Sequence, residues 1–217
     1  MKKKVLKPIL VVLLAVIILS AWSGQVYARL VFNQVDGSFD DTGRLAIRTH
    51  IIEAAGYFLK AYSEILALSD RIEMSDLNGI DYHESRLLVD QAIFNLENAR
   101  EKYLILNQIA ANTPYNPEVI NNLLIFNYRE FRDNQQLMGL QFDQVKSFLM
   151  NGDVRGLFDK VLADVENILE KLERVKIAIY SLSLPEMSDI WELNRLCSEF
   201  MLFGQYSARI FYRVTGK

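Results

Sequence analysis

From Arg44 to the C-terminus, apolar residues recur at alternating steps of three and four, the 3.5-residue spacing that lays a single stripe along a helix. The pattern restarts five times. A first helix is predicted over about Arg44 to Met74, with Ile47, Ile51, Ala54, Phe58, Ala61, Ile65, Leu68 and Ile72 on its stripe. Asn78-Gly79 breaks the chain, and Asp81 followed by Glu84 has the spacing of a capping box for the second helix. Its stripe is Val89, Ala92, Leu96, Ala99, Tyr103, Leu106 and Ala110. Thr113-Pro114 and Asn116-Pro117 end that helix and open a third, with Asn116 as cap and Pro117 in the first turn.

The third stripe runs Leu124, Tyr128, Phe131, Gln135, Met138, Phe142, Val145 and Leu149, as far as Asn151-Gly152. Asp153 caps a fourth helix, with Phe158, Val161, Val165, Ile168, Leu172, Val175, Ile179 and Leu182. Ser183-Leu184-Pro185-Glu186 stops it and starts a fifth helix that reaches about Val214. That helix carries Leu193, Leu196, Phe200, Phe203 and Ile210 on one side, widened by Ile190, Trp191, Cys197, Met201 and Leu202. Helices of about 30 residues are about 45 Å long, and short connections force successive ones to lie antiparallel. The expected fold is all-α: an up-down antiparallel bundle of about five long helices, a four-helix core plus one, over residues 44–217. Residues 29–43 lack the helical period and read as a flexible lead-in.

The first 28 residues follow a different pattern. Lys2, Lys3, Lys4 and Lys7 precede an unbroken apolar run from Ile9 to Leu19, and a more polar stretch ends in Val26-Tyr27-Ala28. That is the layout of a secretory signal peptide cut before Arg29. The alternative, an uncleaved membrane anchor, needs about 20 apolar residues, and the run falls well short. The expected location is therefore periplasmic or extracellular, with membrane attachment only if the segment is retained.

Removing the four lysines of the leader from 24 basic and 27 acidic residues leaves a net charge of −7. An acidic surface argues against nucleic acid and anionic lipid as partners, since both reward a basic face. Cys197 is the single cysteine, so no intramolecular disulfide forms even in an oxidising compartment.

Candidate chemistry is sparse. His50 and Glu53 share a helix face and are the weak candidates for a metal site, but a di-iron bundle needs Glu-x-x-His on two helices. The order here is reversed and there is no second copy. His83 falls in the first turn of a helix, where polar residues are common. Asp36 to Asp41 resembles a calcium loop without its glycine at the sixth position or its glutamate at the twelfth. Gln135, with Asn127 and Asn134, reads as an amide flank. No Gly-x-Ser-x-Gly elbow or phosphate-cradling glycine loop occurs, and Cys197 sits among apolar residues that blunt a thiol.

Trp191, Phe200, Phe203, Tyr206 and Phe211 crowd the last helix, and this surface wider than one stripe is the candidate interaction face. The expectation is a non-enzymatic protein without a cofactor, acting as a protein-interaction or structural module with a protein partner or a second copy of itself. The alternative is a small-ligand binding or sensor domain with a pocket between helices.

Overall fold

Four helices follow one another along the chain: α1, Asp41–Glu73; α2, Tyr82–Ala111; α3, Val154–Tyr180; and α4, Met187–Val214. The computed structural model describes residues 41–75, 79–111, 147–148, 151 and 154–214, all within one unit spanning 39–216. No strand occurs among the described residues. The signal segment and the predicted third helix lie outside them, apart from Ser147 and Phe148, which are helical. Helix α1 starts at Asp41, three residues before the expected Arg44, so the predicted lead-in is shorter at that end.

Polar and aromatic contacts along each seam pair rising residue numbers on one helix with falling numbers on the next. Between α1 and α2 the pairs are Arg71 with Glu84, Glu64 with Asn95, and Glu53 with Lys102. Between α2 and α3 they are Asp90 with Lys176, Arg100 with Glu166, and Asn107 with Asp159. Lys171 meets Glu192 and Lys160 meets Phe203 between α3 and α4. Helix α4 returns to α1 through Asn194 with Ser69, Ser198 with Tyr62, and Phe200 with Phe58. Each helix is therefore antiparallel to both of its neighbours, and the four close into a ring.

The predicted stripes fill the centre of that ring. Ala54, Phe58, Ala61 and Ile65 of α1 are buried with Val89, Leu96, Ala99 and Tyr103 of α2 and with Val161, Val165, Ile168 and Leu172 of α3. Helix α4 contributes Ile190, Leu193, Cys197, Phe200, Phe203 and Phe211. The Phe58 and Phe200 rings lie 4.3 Å apart, with Tyr103 edge-on to Phe200 at 5.7 Å. Phe158 and Phe211 make a second edge-to-face pair at 4.9 Å, an arrangement that aromatic quadrupoles favour.

Helix ends follow local chemistry. The Asp81 carboxylate accepts from the backbone N–H groups of His83 and Glu84 at 3.0 and 3.1 Å, so the predicted cap forms. The Glu84 side chain pairs with Arg71 of α1, because a guanidinium is a stronger partner than a neutral amide. Before that cap, Gly79 takes φ = 75° and its N–H donates to Ser75 O at 2.8 Å.

The end of α3 departs from expectation. Leu182 was expected on the apolar stripe, but the helix stops at Tyr180 and Leu182 is 62% exposed with φ = 57°. Its N–H donates to Ile179 O at 3.1 Å, and the Ser183 N–H to Ala178 O at 3.0 Å. This is the paired hydrogen bonding of a Schellman cap, with leucine where glycine is usual. A left-handed non-glycine residue costs about 1–2 kcal/mol, partly offset by the greater unfolded freedom of glycine, about 0.4–1 kcal/mol. Leu182→Gly should accordingly raise stability by roughly 0.5–1 kcal/mol in urea denaturation at pH 7.

Candidate functional site

The sequence-predicted residues separate on the structure. Phe200, Phe203 and Phe211 are at most 2% exposed and belong to the core, whereas Trp191 is 62% exposed. The Tyr206 side chain lies outside the described residues. Of the predicted interaction face, then, Trp191 is the side chain seen facing solvent, one turn into α4 beside the α3–α4 turn. Leu182 and Leu184 of that turn and Ile177 of α3 are exposed as well. The sequence argument missed this division because width of apolar surface does not distinguish a face turned to a partner from one turned to two neighbouring helices.

His50 and Glu53 do come together, with Nδ1 3.7 Å from the carboxylate. The carboxylate also meets Lys102 of α2 at 3.0 Å, and the hydrogen bond from that ammonium is the main cause holding Glu53 below the usual carboxylate range. A positive charge thus occupies the side of the carboxylate facing α2. Among the described residues no group of three or more His, Cys, Asp and Glu side chains is placed to hold a metal. His83 is exposed in the first turn of α2. The calcium-like residues before Asp41, and Asn127, Asn134 and Gln135, lie outside the described residues.

Two polar clusters had no sequence signature. On the α2–α3 seam the Tyr180 hydroxyl donates to Asp90 at 2.5 Å and Lys176 reaches the other oxygen at 3.1 Å. Arg86 stacks over the Tyr180 ring at 5.0 Å and donates to the Tyr180 carbonyl at 3.2 Å. Burial alone would raise the Asp90 carboxyl, but the hydrogen bonds from Tyr180 and Lys176 outweigh it and hold the carboxyl below its ordinary value. The same bond to Asp90 pushes the Tyr180 phenol up.

The second cluster is uncharged and bridges α1 and α4. Asn194 donates to Ser69 Oγ at 3.0 Å, and Ser69 donates to its own helix at Ile65 O, 2.8 Å away. The Ser198 proton goes to Asn194 O at 2.9 Å, so Tyr62, 2.8 Å from Ser198 Oγ, is the donor to that hydroxyl. Both clusters lock helices together.

An open cleft of about 400 Å³ lies where α1 turns into α2, lined by Ala67, Asp70, Arg71, Met74, Gly79 and Asp81. Arg71 is engaged by Glu84 and Asp81 caps α2, so two of its three charged groups already have structural partners. Cys197 is fully buried, and burial pushes its thiol up to about 12. Among the described residues no helix is long and apolar enough to cross a membrane.

Compared with family models, curated proteins and solved structures, the chain matches none of them.

Two predictions follow from these groups. A carboxyl held below its ordinary value stabilises the fold above that value, and the contribution is lost as pH falls through the lowered one. The chain should therefore lose stability as pH falls below about 4, and Asp90→Asn should shrink that loss in urea denaturation across a pH series. An unchanged acid slope would remove Asp90 from the account. The Cys197 thiol should resist a disulfide reagent at pH 8 in the native chain and react fully in denaturant; rapid native labelling would mean that α4 opens locally.

Proposed function

We propose that this chain is an exported, non-enzymatic helical-bundle protein that works as a protein-interaction or structural module. Its signal peptide is removed before Arg29, and a further helix from Pro117 to about Asn151 adds a fifth element to the four-helix ring. The basic start, apolar run and Val26-Tyr27-Ala28 ending support export. The net acidic charge favours a protein partner over nucleic acid.

The observation that carries the reading is at the α3–α4 corner. The core is filled by side chains of all four helices, yet Ile177, Leu182, Leu184 and Trp191 are each more than half exposed around one turn. Trp191 is the candidate anchor among them, because tryptophan is enriched at binding hot spots.

Native mass spectrometry of the protein recovered from an exporting host tests both parts. The expected species begins at Arg29 and associates with protein, and Trp191→Ala weakens that association at least tenfold. A full-length mass confined to membranes would replace export by anchoring. A monomer carrying a reproducible small-molecule adduct would replace the interaction module by a ligand-binding domain.

A further inference from the structure

We propose that two copies of this chain pair antiparallel through the outer face of α1, about a two-fold axis at Ala55 and Gly56. This rests on the interaction-module reading and names one partner for it, on a surface separate from the Trp191 corner.

Helix α1 carries a second stripe besides its core stripe. Leu45, Ile52, Leu59 and Leu66 recur at seven-residue intervals, and Leu45, Ile52 and Leu66 are 62%, 59% and 39% exposed. Leu59 is half-buried. Seven-residue repetition over three heptads is the spacing by which one helix meets another lengthwise.

The stripe is also its own mirror in sequence. Laid antiparallel about the point between Ala55 and Gly56, Leu45 falls opposite the second copy's Leu66, and Ile52 opposite the second copy's Leu59. Ala55 then meets Gly56. A two-fold contact demands this self-complementarity, since residue i meets j wherever j meets i. The two smallest residues of the stripe stand at the crossing point, where backbones come closest.

Gly56 has no packing explanation among the described residues. It interrupts a 33-residue helix, where glycine costs about 1 kcal/mol relative to alanine. A Cβ built there meets nothing within 4 Å, so the fold itself leaves room for a larger residue. Close approach of a second backbone would require the glycine.

Charge favours the same face. Two acidic copies repel, yet both carboxylates between Leu45 and Ser69 are turned towards α2: Glu53 to Lys102 and Glu64 to Asn95. The helical period places Lys60 on the flank of the stripe and Arg48 within it, heptad-equivalent to Ala55 and opposite the second copy's Ser63, so the strip carries cations rather than carboxylates. The contact is small. A strip about 33 Å long and 10–12 Å wide covers roughly 350 Å², less than the ~800 Å² per partner of a standard stable complex. The dimer should therefore be weak and reversible, forming only as concentration rises.

Sedimentation velocity on the exported chain, from about 1 to 300 µM, tests the pairing. The expected result is a reversible monomer–dimer equilibrium. Ile52→Lys and Gly56→Leu should each weaken it at least tenfold with circular dichroism unchanged, while Trp191→Ala leaves it intact. Gly56→Leu is the sharper variant, because removing a mid-helix glycine should hold or raise monomer stability as it abolishes the dimer. A wild-type monomer at 300 µM would overturn the proposal, as would a dimer indifferent to both α1 variants. If association survives those variants and is lost in Trp191→Ala, the α1 axis falls and the interaction-module reading stands.

Discussion

Four apolar stripes turned onto one axis hold this protein together, and the antiparallel ring is the condition under which all four can be buried at once. Phe58, Tyr103 and Phe200 show the constraint at one level, with three helices supplying rings to a single contact group. Apolar burial is non-directional, and in a heptad pattern it leaves a slipped register nearly as well buried. The register is fixed by the polar pairs on the seams. Moving α3 one heptad along α2 would preserve much apolar contact while separating Asp90 from Tyr180 and Lys176, and Asn107 from Asp159. Specificity and stability thus come from different residues on the same helices.

The seams differ in kind. Those joining sequential helices carry ion pairs such as Glu53–Lys102 and Lys171–Glu192, whereas the described polar contacts that close the ring from α4 to α1 are hydroxyl and amide hydrogen bonds. Exposed ion pairs weaken as salt screens them. The neutral seam depends little on salt or on pH near neutrality.

Much of the fold was legible because helical burial repeats. The stripe residues assigned to the predicted first and second helices fall on the buried side of α1 and α2, with Ile51 partly covered, and those from Phe158 to Ile179 do so on α3. Leu182 broke the pattern because the end of a helix is decided by backbone hydrogen bonding, and nothing in Ser183-Leu184-Pro185 announces a left-handed leucine. The candidate face on the last helix was legible only as excess apolar width. In a ring each helix has two neighbours, so Phe200, Phe203 and Phe211 are absorbed into the core and Trp191 is left outside. His50 and Glu53 had the right spacing to share a face, but a three-residue spacing cannot reveal that a neighbouring helix brings Lys102 to the same carboxylate. Asp90 and Tyr180, on different helices and far apart in sequence, had no local signature at all.

The outer faces of opposite helices in the ring make the remaining contrast. Helix α3 turns charge outward, with Arg155, Asp159, Glu166, Glu170 and Arg174, and part of that charge is paired along its own helix. That is how a surface helix stays soluble. Helix α1, across the ring, turns Leu45, Ile52 and Leu66 outward. Both helices pack into the same core, so core packing cannot be the source of the difference. A two-fold contact through α1 would leave α3 in water, where its charges are well hydrated. It would also send the two α3–α4 corners, each with its Trp191, to opposite ends of the pair, because the contacting helices run antiparallel. Two apolar corners held far apart on one assembly can engage an extended or repeated partner at two points, where effective concentration raises avidity without any new contact. A modest dimer and a modest corner would together bind more firmly than either surface alone.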